Sequence, residues 1–466
     1  MERRSIYFVG IGGIGMSALA RYFLREGWLV AGYDLTQSEL TEALVAEGAQ
    51  VHYEDDVALI GEAWRDPRTT RVVYTPAIPQ SHAELNYFRE GGFEVLKRSQ
   101  MLGLLTEGKY VMAVAGTHGK SSTSTLLAWL NHEVAREGSA VLGAISKNFD
   151  SNLVLGSGDR VVVEADEFDR SFLRLTPDVA VVTSVDADHL DIYGTYDAVR
   201  EAFSQLVDLI KSGGSLIIKS GVEIDLRNDV IDVWRYSLEE EADFYVSRIE
   251  STEFGGYRFD IRTPNGVIEG CELGVPGRVN IENAVAAVAA LWCCAEGHVL
   301  DYDAVRGALQ SFRGVRRRLD LYVCERFGFY MDDYAHHPRE IEATLSSVRA
   351  MLSNRHVTVV FQPHLYSRTK DLHEGFARAL SAADRVILLP IYPARELPME
   401  GVDSQLIARD VTSHGGVEIV ERESIVDHLS SIPTDVVVTM GAGNIDLYCA
   451  AIADVVAEKC KREKEE

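Results

Sequence analysis

Short runs of consecutive apolar residues recur along the chain, separated by segments whose apolar positions follow helical spacing. Ile6–Gly10 reads as a strand, Met16–Arg25 as a helix, and Leu29–Asp34 and Val72–Thr75 as further strands, the last punctuated by Pro76 and Pro79. The pattern restarts near Val111: an apolar strand, Val111–Ala115, runs through a glycine-containing turn into a helix near Ser121–Val134. Val161–Glu164 and Val179–Val185 lack alternation, as strands buried on both faces do. Phe244–Val275 differs: its short alternating segments, with turns at Gly255-Gly256 and Asn265-Gly266, predict a small antiparallel insertion. A third series begins after Gly314, with buried strands at Val357–Phe361, Arg385–Leu389 and Val436–Met440. Strands alternating with helices throughout predict an α/β protein of mostly parallel sheets covered by helices.

Length agrees with this pattern. At roughly 150 residues per domain, 466 residues make about three domains. We place them at 1–105, 106–314 and 315–466. Charge narrows the partners: 46 basic against 71 acidic residues leave a net charge of −25, which opposes a nucleic-acid backbone. It does not oppose an anionic substrate held by backbone amides and a few placed cations. No run reaches the ~18 apolar residues of a membrane span, and the first residues lack a signal-peptide core. The six cysteines show no zinc or disulfide spacing. A soluble, reduced, cytoplasmic protein without stable membrane insertion is expected.

Chemistry concentrates at strand ends. Gly10-Ile-Gly12-Gly13-Ile-Gly15 lies between a strand and a helix, where glycines let the backbone approach a diphosphate and the helix start offers free amides. Asp34 ends the next strand, where an acid can bind a ribose hydroxyl. This motif by itself also fits a nicotinamide or flavin site, or a tight turn that binds nothing. Gly116-Thr117-His118-Gly119-Lys120-Ser121-Ser122 ends like a phosphate-binding loop but is shorter, since Val114 occupies the usual first-glycine position. Loop amides would cradle phosphates, Lys120 reach the terminal phosphate, and Ser121 ligate Mg²⁺.

Glu164-Ala-Asp-Glu167 and Asp186-Ala-Asp-His189-Leu-Asp191 end two further strands and offer metal ligands, Glu164 foremost; either is otherwise a solvated polar turn. Asn280 caps, and Asn283 stands one turn into, an alanine-rich helix; from the residues alone capping is the simpler role. Arg316-Arg317-Arg318 reads equally as a phosphate contact or a solvated charge run. Asp332-Asp333-Tyr-Ala-His-His337-Pro338 ends a strand, with Pro338 suited to a first helical turn. Phe361-Gln-Pro-His364 delivers His364 and Arg368 to the carboxyl end of a buried strand, where Arg368 can bind a carboxylate through two hydrogen bonds.

In this order the motifs resemble the Mur ligase family. The residues that carry the likeness are Gly10–Ser17, Ala115–Lys120, Glu164–Glu167, Asp188–Asp191, Asp333–Pro338, Phe361–His364 and Met440–Asn444, and they span essentially the whole chain. The resemblance implies a Rossmann-like first domain, a central phosphate-loop ATPase domain and a Rossmann-like third domain. It implies ATP-dependent joining of L-alanine to the carboxylate of UDP-N-acetylmuramate through an acyl phosphate, with release of ADP and phosphate, in peptidoglycan precursor synthesis. By resemblance, Gly10, Gly12, Gly13, Gly15, Ser17, Asp34 and Thr75 bind the sugar nucleotide. Gly116, Thr117, His118, Gly119, Lys120, Ser121, Asn283, Arg318, Asp333 and His337 bind ATP. Ser121, Glu164 and His189 form the Mg²⁺ environment, and Lys120, Glu164, His189, Arg318, His364 and Arg368 carry catalysis.

Two departures stand out. The loop continues Ser121-Ser122-Thr123-Ser124 where a threonine run is common, which preserves the hydroxyls. Phe203 falls where ligases of later peptide additions carry a carbamylated lysine, so no carbamate is expected. A recycling ligase that adds a tripeptide to the same sugar nucleotide shares nearly all these motifs. A nicotinamide-dependent dehydrogenase leaves the Gly116–Ser121 loop unexplained, and a non-catalytic nucleotide-binding scaffold leaves the metal residues unexplained.

Overall fold

The computed structural model describes residues 4–187, 190–252, 256–394 and 396–465. Three sheets succeed one another along the chain. The first is parallel throughout, in the order Gln50–His52, Leu29–Tyr33, Ser5–Val9, Thr70–Tyr74, Glu94–Lys97. Its central strand is buried on both faces: Ile6 and Phe8 pack with Leu19 and Phe23, whereas Tyr7 and Val9 pack with Trp64, Leu85 and Phe88. Period-two alternation of strand side chains thus serves two helical layers at once.

The second sheet runs Gly266–Glu272, Tyr257–Thr263, Phe244–Ser251, Asp232–Ser237, Ser215–Lys219, Val179–Val182, Tyr110–Ala115, Arg160–Glu164, Ser139–Ser146, Ser151–Val154. Its middle strands are parallel. Ser139–Ser146 and Ser151–Val154 form an antiparallel hairpin at one edge. At the other edge two residues connect the neighbours Tyr257–Thr263 and Gly266–Glu272, a link only antiparallel strands can make. The insertion read from the sequence therefore extends the central sheet.

The third sheet runs Asp320–Glu325, Gly328–Asp333, Val436–Met440, Val357–Phe361, Arg385–Leu388, Val417–Ile419. The first pair is antiparallel and the rest parallel. Phe329, Val359, Phe361 and Val438 face one helical layer, and Tyr330, Val360 and Val437 face another that includes Ile452 and Val456 of the last helix, Cys449–Glu465.

By compactness the chain forms two units, one of Met1–Arg248, Phe259–Cys271 and Glu282–Arg313, the other of Ile249–Arg258, Glu272–Ile281 and Gly314–Glu466. The loop-bearing edges of the first two sheets belong to the first unit and the third sheet to the second. All six cysteines are free thiols. Among the described residues no helix is long and apolar enough to cross a membrane.

Element ends depart from the sequence reading for local reasons. The strand Val179–Val182 stops before Thr183, because Thr183 turns its hydroxyl to the carbonyls of Ala115 and His118. The helix after the phosphate loop runs Lys120–Leu130 and then widens into a π-turn over Asn131–Ala135.

Candidate active site

Register places the first loop. Val9 lies level with Tyr33 and Tyr74, so the chain leaves the sheet at Gly10 beside Asp34 and Thr75. Gly10 has φ 90°, and a Cβ there would stand 2.6 Å from the Thr75 methyl carbon, so glycine is required twice over. The amides of Gly10 and Ile11 both donate to the Tyr33 carbonyl, at 2.8 and 2.9 Å. The Gly12 amide donates to Asp34 Oδ2 at 2.8 Å and Thr36 N to Oδ1 at 3.1 Å, so the Asp34 carboxylate braces the loop. The helix Ile14–Arg25 starts with Gly13 as its cap and no side-chain cap bond, leaving its first amides unspent. Ser17 is fully buried on this helix and accepts from Asn152 Nδ2.

The second loop is fixed in the same way. Ala115 is level with Val182, and Val114 with Glu164, so the phosphate loop, Glu164 and Thr183 leave the sheet together. Gly116 has φ 138° and Gly119, the helix cap, φ 82°. Thr117 N donates to the Ser184 carbonyl and His118 N to Ser184 Oγ, while Asp186 N donates to Thr117 Oγ1. His118 Nε2 stands 3.6 Å from Asp186. The segment after Val182 thereby braces the loop from outside.

Lys120 folds its ammonium back into the loop, donating to the carbonyls of Gly116 (2.6 Å) and Thr117 (3.2 Å) and pairing with Glu167 Oε2 at 2.8 Å. Burial opposes the ammonium's charge, but the carboxylates of Glu167 and Glu164 outweigh it and hold Lys120 protonated above its usual range. Ser124 Oγ lies within hydrogen-bond distance of the Ser121 carbonyl (3.3 Å) and Glu164 Oε2 (3.4 Å), tying the first helical turn to the strand end. Asn283, buried in the helix Arg278–Cys294, accepts from Thr123 at 3.2 Å and lies against Gly119. It thus stands at the phosphate loop, whereas Asn280 turns back to the Pro276 carbonyl. Phe203 is fully buried and packs edge-on to Phe172.

The first loop opens on a cleft of about 230 Å³ that reaches the strand-end acids of the central domain. Gly13, Gly15 and Thr75 line it from the first domain and Glu164, Asp166 and Phe168 from the central sheet. Arg98 also lines it, and donates to Asp166 at 3.0 Å. The sequence reading missed Arg98, which opens a helix with no motif around it, and missed the role of Glu167 as the partner of Lys120. His189 lies outside the described residues, as does Asp188. Among the described residues no group of three or more His, Cys, Asp or Glu side chains is arranged to hold a metal.

In the second unit the carboxyl edge of the third sheet gathers the remaining candidates. Asp333, Met440 and Phe361 lie level. Asp333 is buried and accepts from the amides of Leu319 (2.8 Å) and Ala335 (2.9 Å) and from Thr344 (3.3 Å), which ties the basic triplet's exit to the strand end. Within the triplet Arg317, at φ 63°, is the strut: it pairs with Asp332 at 3.1 Å and donates to the carbonyls of Gly441 and Gly443. Arg318 lies over the Tyr334 ring, 5.4 Å from its centre. His337 caps the helix Pro338–Met351. His364 stacks on Tyr392 and meets His336 edge-on at 6.1 Å. Arg368 Nη1 is buried without a hydrogen-bond partner among the described residues. Burial lowers the His336 pKa, Glu340 opposes this, and Arg368 and Arg318 reinforce it. The edge therefore sets a buried imidazole near the guanidinium groups of Arg318 and Arg368.

A diphosphate-type glycine loop, a phosphate-type loop with its buried lysine and, further along the chain, a third sheet with a cationic edge are the parts of a multidomain nucleotide-dependent ligase. Family models cover the chain in the same order: Mur ligase family, catalytic domain, at residues 5–110; Mur ligase middle domain at 114–291; and Mur ligase, glutamate ligase domain, at 317–443. The chain belongs to the Mur ligase family. It is 48% identical to the UDP-N-acetylmuramate–L-alanine ligase of Phocaeicola vulgatus over 459 residues, covering 98% of this chain and 99% of that protein. It is 47% identical to the ligase of the same name from Parabacteroides distasonis, with 98% of each covered. The crystal structure of UDP-N-acetylmuramate-alanine ligase MurC from Thermotoga maritima superposes with a TM-score of 0.81 at 25% identity, covering 98% of this chain and 99% of that one. A murein peptide ligase from Psychrobacter arcticus shares the fold, with a TM-score of 0.68 at 21% identity and 97% and 98% coverage.

Proposed function

We propose that this chain joins L-alanine to the carboxylate of UDP-N-acetylmuramate at the expense of ATP, releasing ADP and phosphate, in peptidoglycan precursor synthesis. One observation carries the reading beyond family membership: the cleft lined by Gly13 and Gly15 of the diphosphate-type loop is also lined by Glu164, whose carboxylate lies by Ser124 in the helix that Lys120 opens. A sugar nucleotide lying along it brings its carboxylate toward a γ-phosphate. The alternative of a tripeptide-adding ligase rests on likeness of fold, while the full-length relatives above carry the alanine-ligase name. The dehydrogenase alternative is set aside with the family assignment.

In the first stage the muramoyl carboxylate attacks the γ-phosphate to give an acyl phosphate; in the second the amine of alanine attacks the acyl carbon and expels phosphate. Lys120 supplies a preorganised positive charge that offsets the negative charge of phosphoryl transfer. The Ser121 hydroxyl and Glu164 carboxylate, hard oxygen donors on the first helical turn and the neighbouring strand end, suit Mg²⁺, which would neutralise phosphate charge; His189 completes the proposed set. Arg318 is assigned to phosphate, Asn283 to adenine, Asp333 and His337 to the ribose side, and His364 and Arg368 to the sugar acid and amino acid. Domain boundaries near 105 and 315 fit this division. ATP and nucleotide-activated sugars place the reaction in the cytoplasm. The test is phosphate release from ATP with UDP-N-acetylmuramate and each of alanine, glycine, serine and the tripeptide; release with the tripeptide alone would overturn the assignment.

A further inference from the structure

The glycine-loop helix faces a conflict. A Ser, Asn or Asp cap would pin its first turn but would spend the amides that a diphosphate needs. Gly13 spends none and pins nothing. The pin comes instead from the edge strand of the central sheet. Asn152, fully buried in Ser151–Val154, donates through Nδ2 to the Ile14 carbonyl at 2.6 Å and to Ser17 Oγ at 2.9 Å. Its Oδ1 accepts from Arg21 Nη1, and Arg21 is held in turn by Glu47 at 2.8 Å. Every polar atom of the Asn152 amide is used, and each bond ends on the helix Ile14–Arg25. The arginine donor also fixes which end of the amide is oxygen. The side chain grips the turn on its carbonyl side and leaves the amide side to the ligand.

We propose that Asn152 is a positioning residue for sugar-nucleotide binding: its amide, reaching from the central domain, sets the angle and height of the first helical turn at which the diphosphate sits. The inference rests on the function proposed above. It makes the sugar-nucleotide affinity depend on a residue that touches no substrate.

The experiment is steady-state kinetics on the full chain, varying UDP-N-acetylmuramate, ATP and L-alanine separately, for wild type, Asn152→Ala, Asn152→Ser and Asn131→Ala. Asn131 is an equally buried asparagine of the central domain whose amide donates to the Glu137 carbonyl. Loss of the buried bonds is expected to raise the KM for UDP-N-acetylmuramate about tenfold in both Asn152 variants, with kcat and the KM for ATP within about twofold of wild type. Asn131→Ala should leave the KM for UDP-N-acetylmuramate unchanged. Asn152→Ser keeps a polar group yet is too short to reach Ile14, so it reports even if the alanine variant does not fold. An unchanged KM for UDP-N-acetylmuramate, an equal rise for all substrates, or the same split in Asn131→Ala would overturn the inference. Failure of the wild type to use UDP-N-acetylmuramate would instead overturn the functional reading.

Discussion

Lys120 and Glu167 form a buried ion pair beneath the phosphate loop, with Nζ 2.8 Å from Oε2 and only 15% and 3% of the two side chains exposed. Lys120→Ala is expected to cut turnover by about 10³-fold, the order for losing a donor that stabilises transition-state charge. It should leave sugar-nucleotide binding intact. It also strands a buried carboxylate, at a cost of about 3–5 kcal/mol. The double variant Lys120→Met with Glu167→Gln removes both charges, so melting temperature should recover while turnover does not. Near-normal turnover in Lys120→Ala would remove the loop assignment.

Metal dependence separates the strand-end acids. Glu164→Ala should raise the Mg²⁺ concentration for half-maximal activity by at least about tenfold, as loss of one ligand of several does. His189→Ala should do the same. Asp34→Asn, in the other loop, should leave the Mg²⁺ titration unmoved. Unchanged titrations in both Glu164→Ala and His189→Ala would place the metal elsewhere.

The glycines of the first loop are not equivalent. A Cβ on Gly12 would stand 2.7 Å from the Thr41 methyl and 2.9 Å from Asp34 Oδ2, so a side chain there disturbs the protein itself. A Cβ on Gly13 meets nothing closer than 3.6 Å. Gly13→Ala or Gly13→Val is therefore the clean test: melting temperature unchanged, UDP-N-acetylmuramate binding weakened, ATP binding unaffected. Calorimetric titration of both nucleotides checks it, and undiminished sugar-nucleotide binding would contradict the loop's role.

A proton-linked cluster lies in the first domain, on the sheet face opposite the helix Ile14–Arg25. Glu84 is fully buried; Tyr7 Oη donates to its Oε2 at 2.7 Å, and His52 Nε2 stands 2.7 Å from Tyr7 Oη and 3.2 Å from Glu84 Oε1. Burial lifts the Glu84 carboxyl to about 7, against the hydrogen bond from Tyr7 and with help from Asp55. The folded state therefore holds a proton that the unfolded chain releases near 4.5. The resulting stabilisation is complete below that value and is lost as pH rises through about 7. Burial lowers His52, which acts in the opposite sense, losing its contribution as pH falls below the usual histidine range. Glu84→Gln should flatten the decline of melting temperature between about pH 5 and 8, a difference on the order of 2–3 kcal/mol across that window. An identical slope in wild type and variant would show that Glu84 is not the group titrating.

A feature is legible in the sequence to the extent that its cause is local. Gly10, Gly116 and Gly119 announced their loops because positive φ and close approach are needs of the residue itself. The central strands were legible because burial on both faces leaves unbroken apolar runs. Short edge strands such as Gln50–His52 and Ser151–Val154 were not, since few residues carry their pattern. Within Arg316–Arg318 nothing in the sequence distinguishes Arg317, the strut of Asp332 and the Gly441–Gly443 turn, from Arg318 over Tyr334. Glu167 was noted as one of an acidic run, but its pairing with Lys120 spans 47 residues and is settled by strand register. Asn152 sits in no motif, and its partners on the first helix lie more than 130 residues away.

In the proposed mechanism the substrate carboxylate is activated by phosphorylation. A carboxylate is a poor acceptor for an amine, and no cysteine or serine of this chain sits in a recognisable nucleophile motif that would make an acyl-enzyme. The direct measurement is transfer of heavy oxygen from labelled muramoyl carboxylate during a single turnover with ATP and L-alanine. One labelled oxygen is expected in the released inorganic phosphate, with ADP as the other product. Label found in AMP, with none in phosphate, would mean adenylation, and would contradict the assignment of Lys120 and Arg318 to the γ-phosphate.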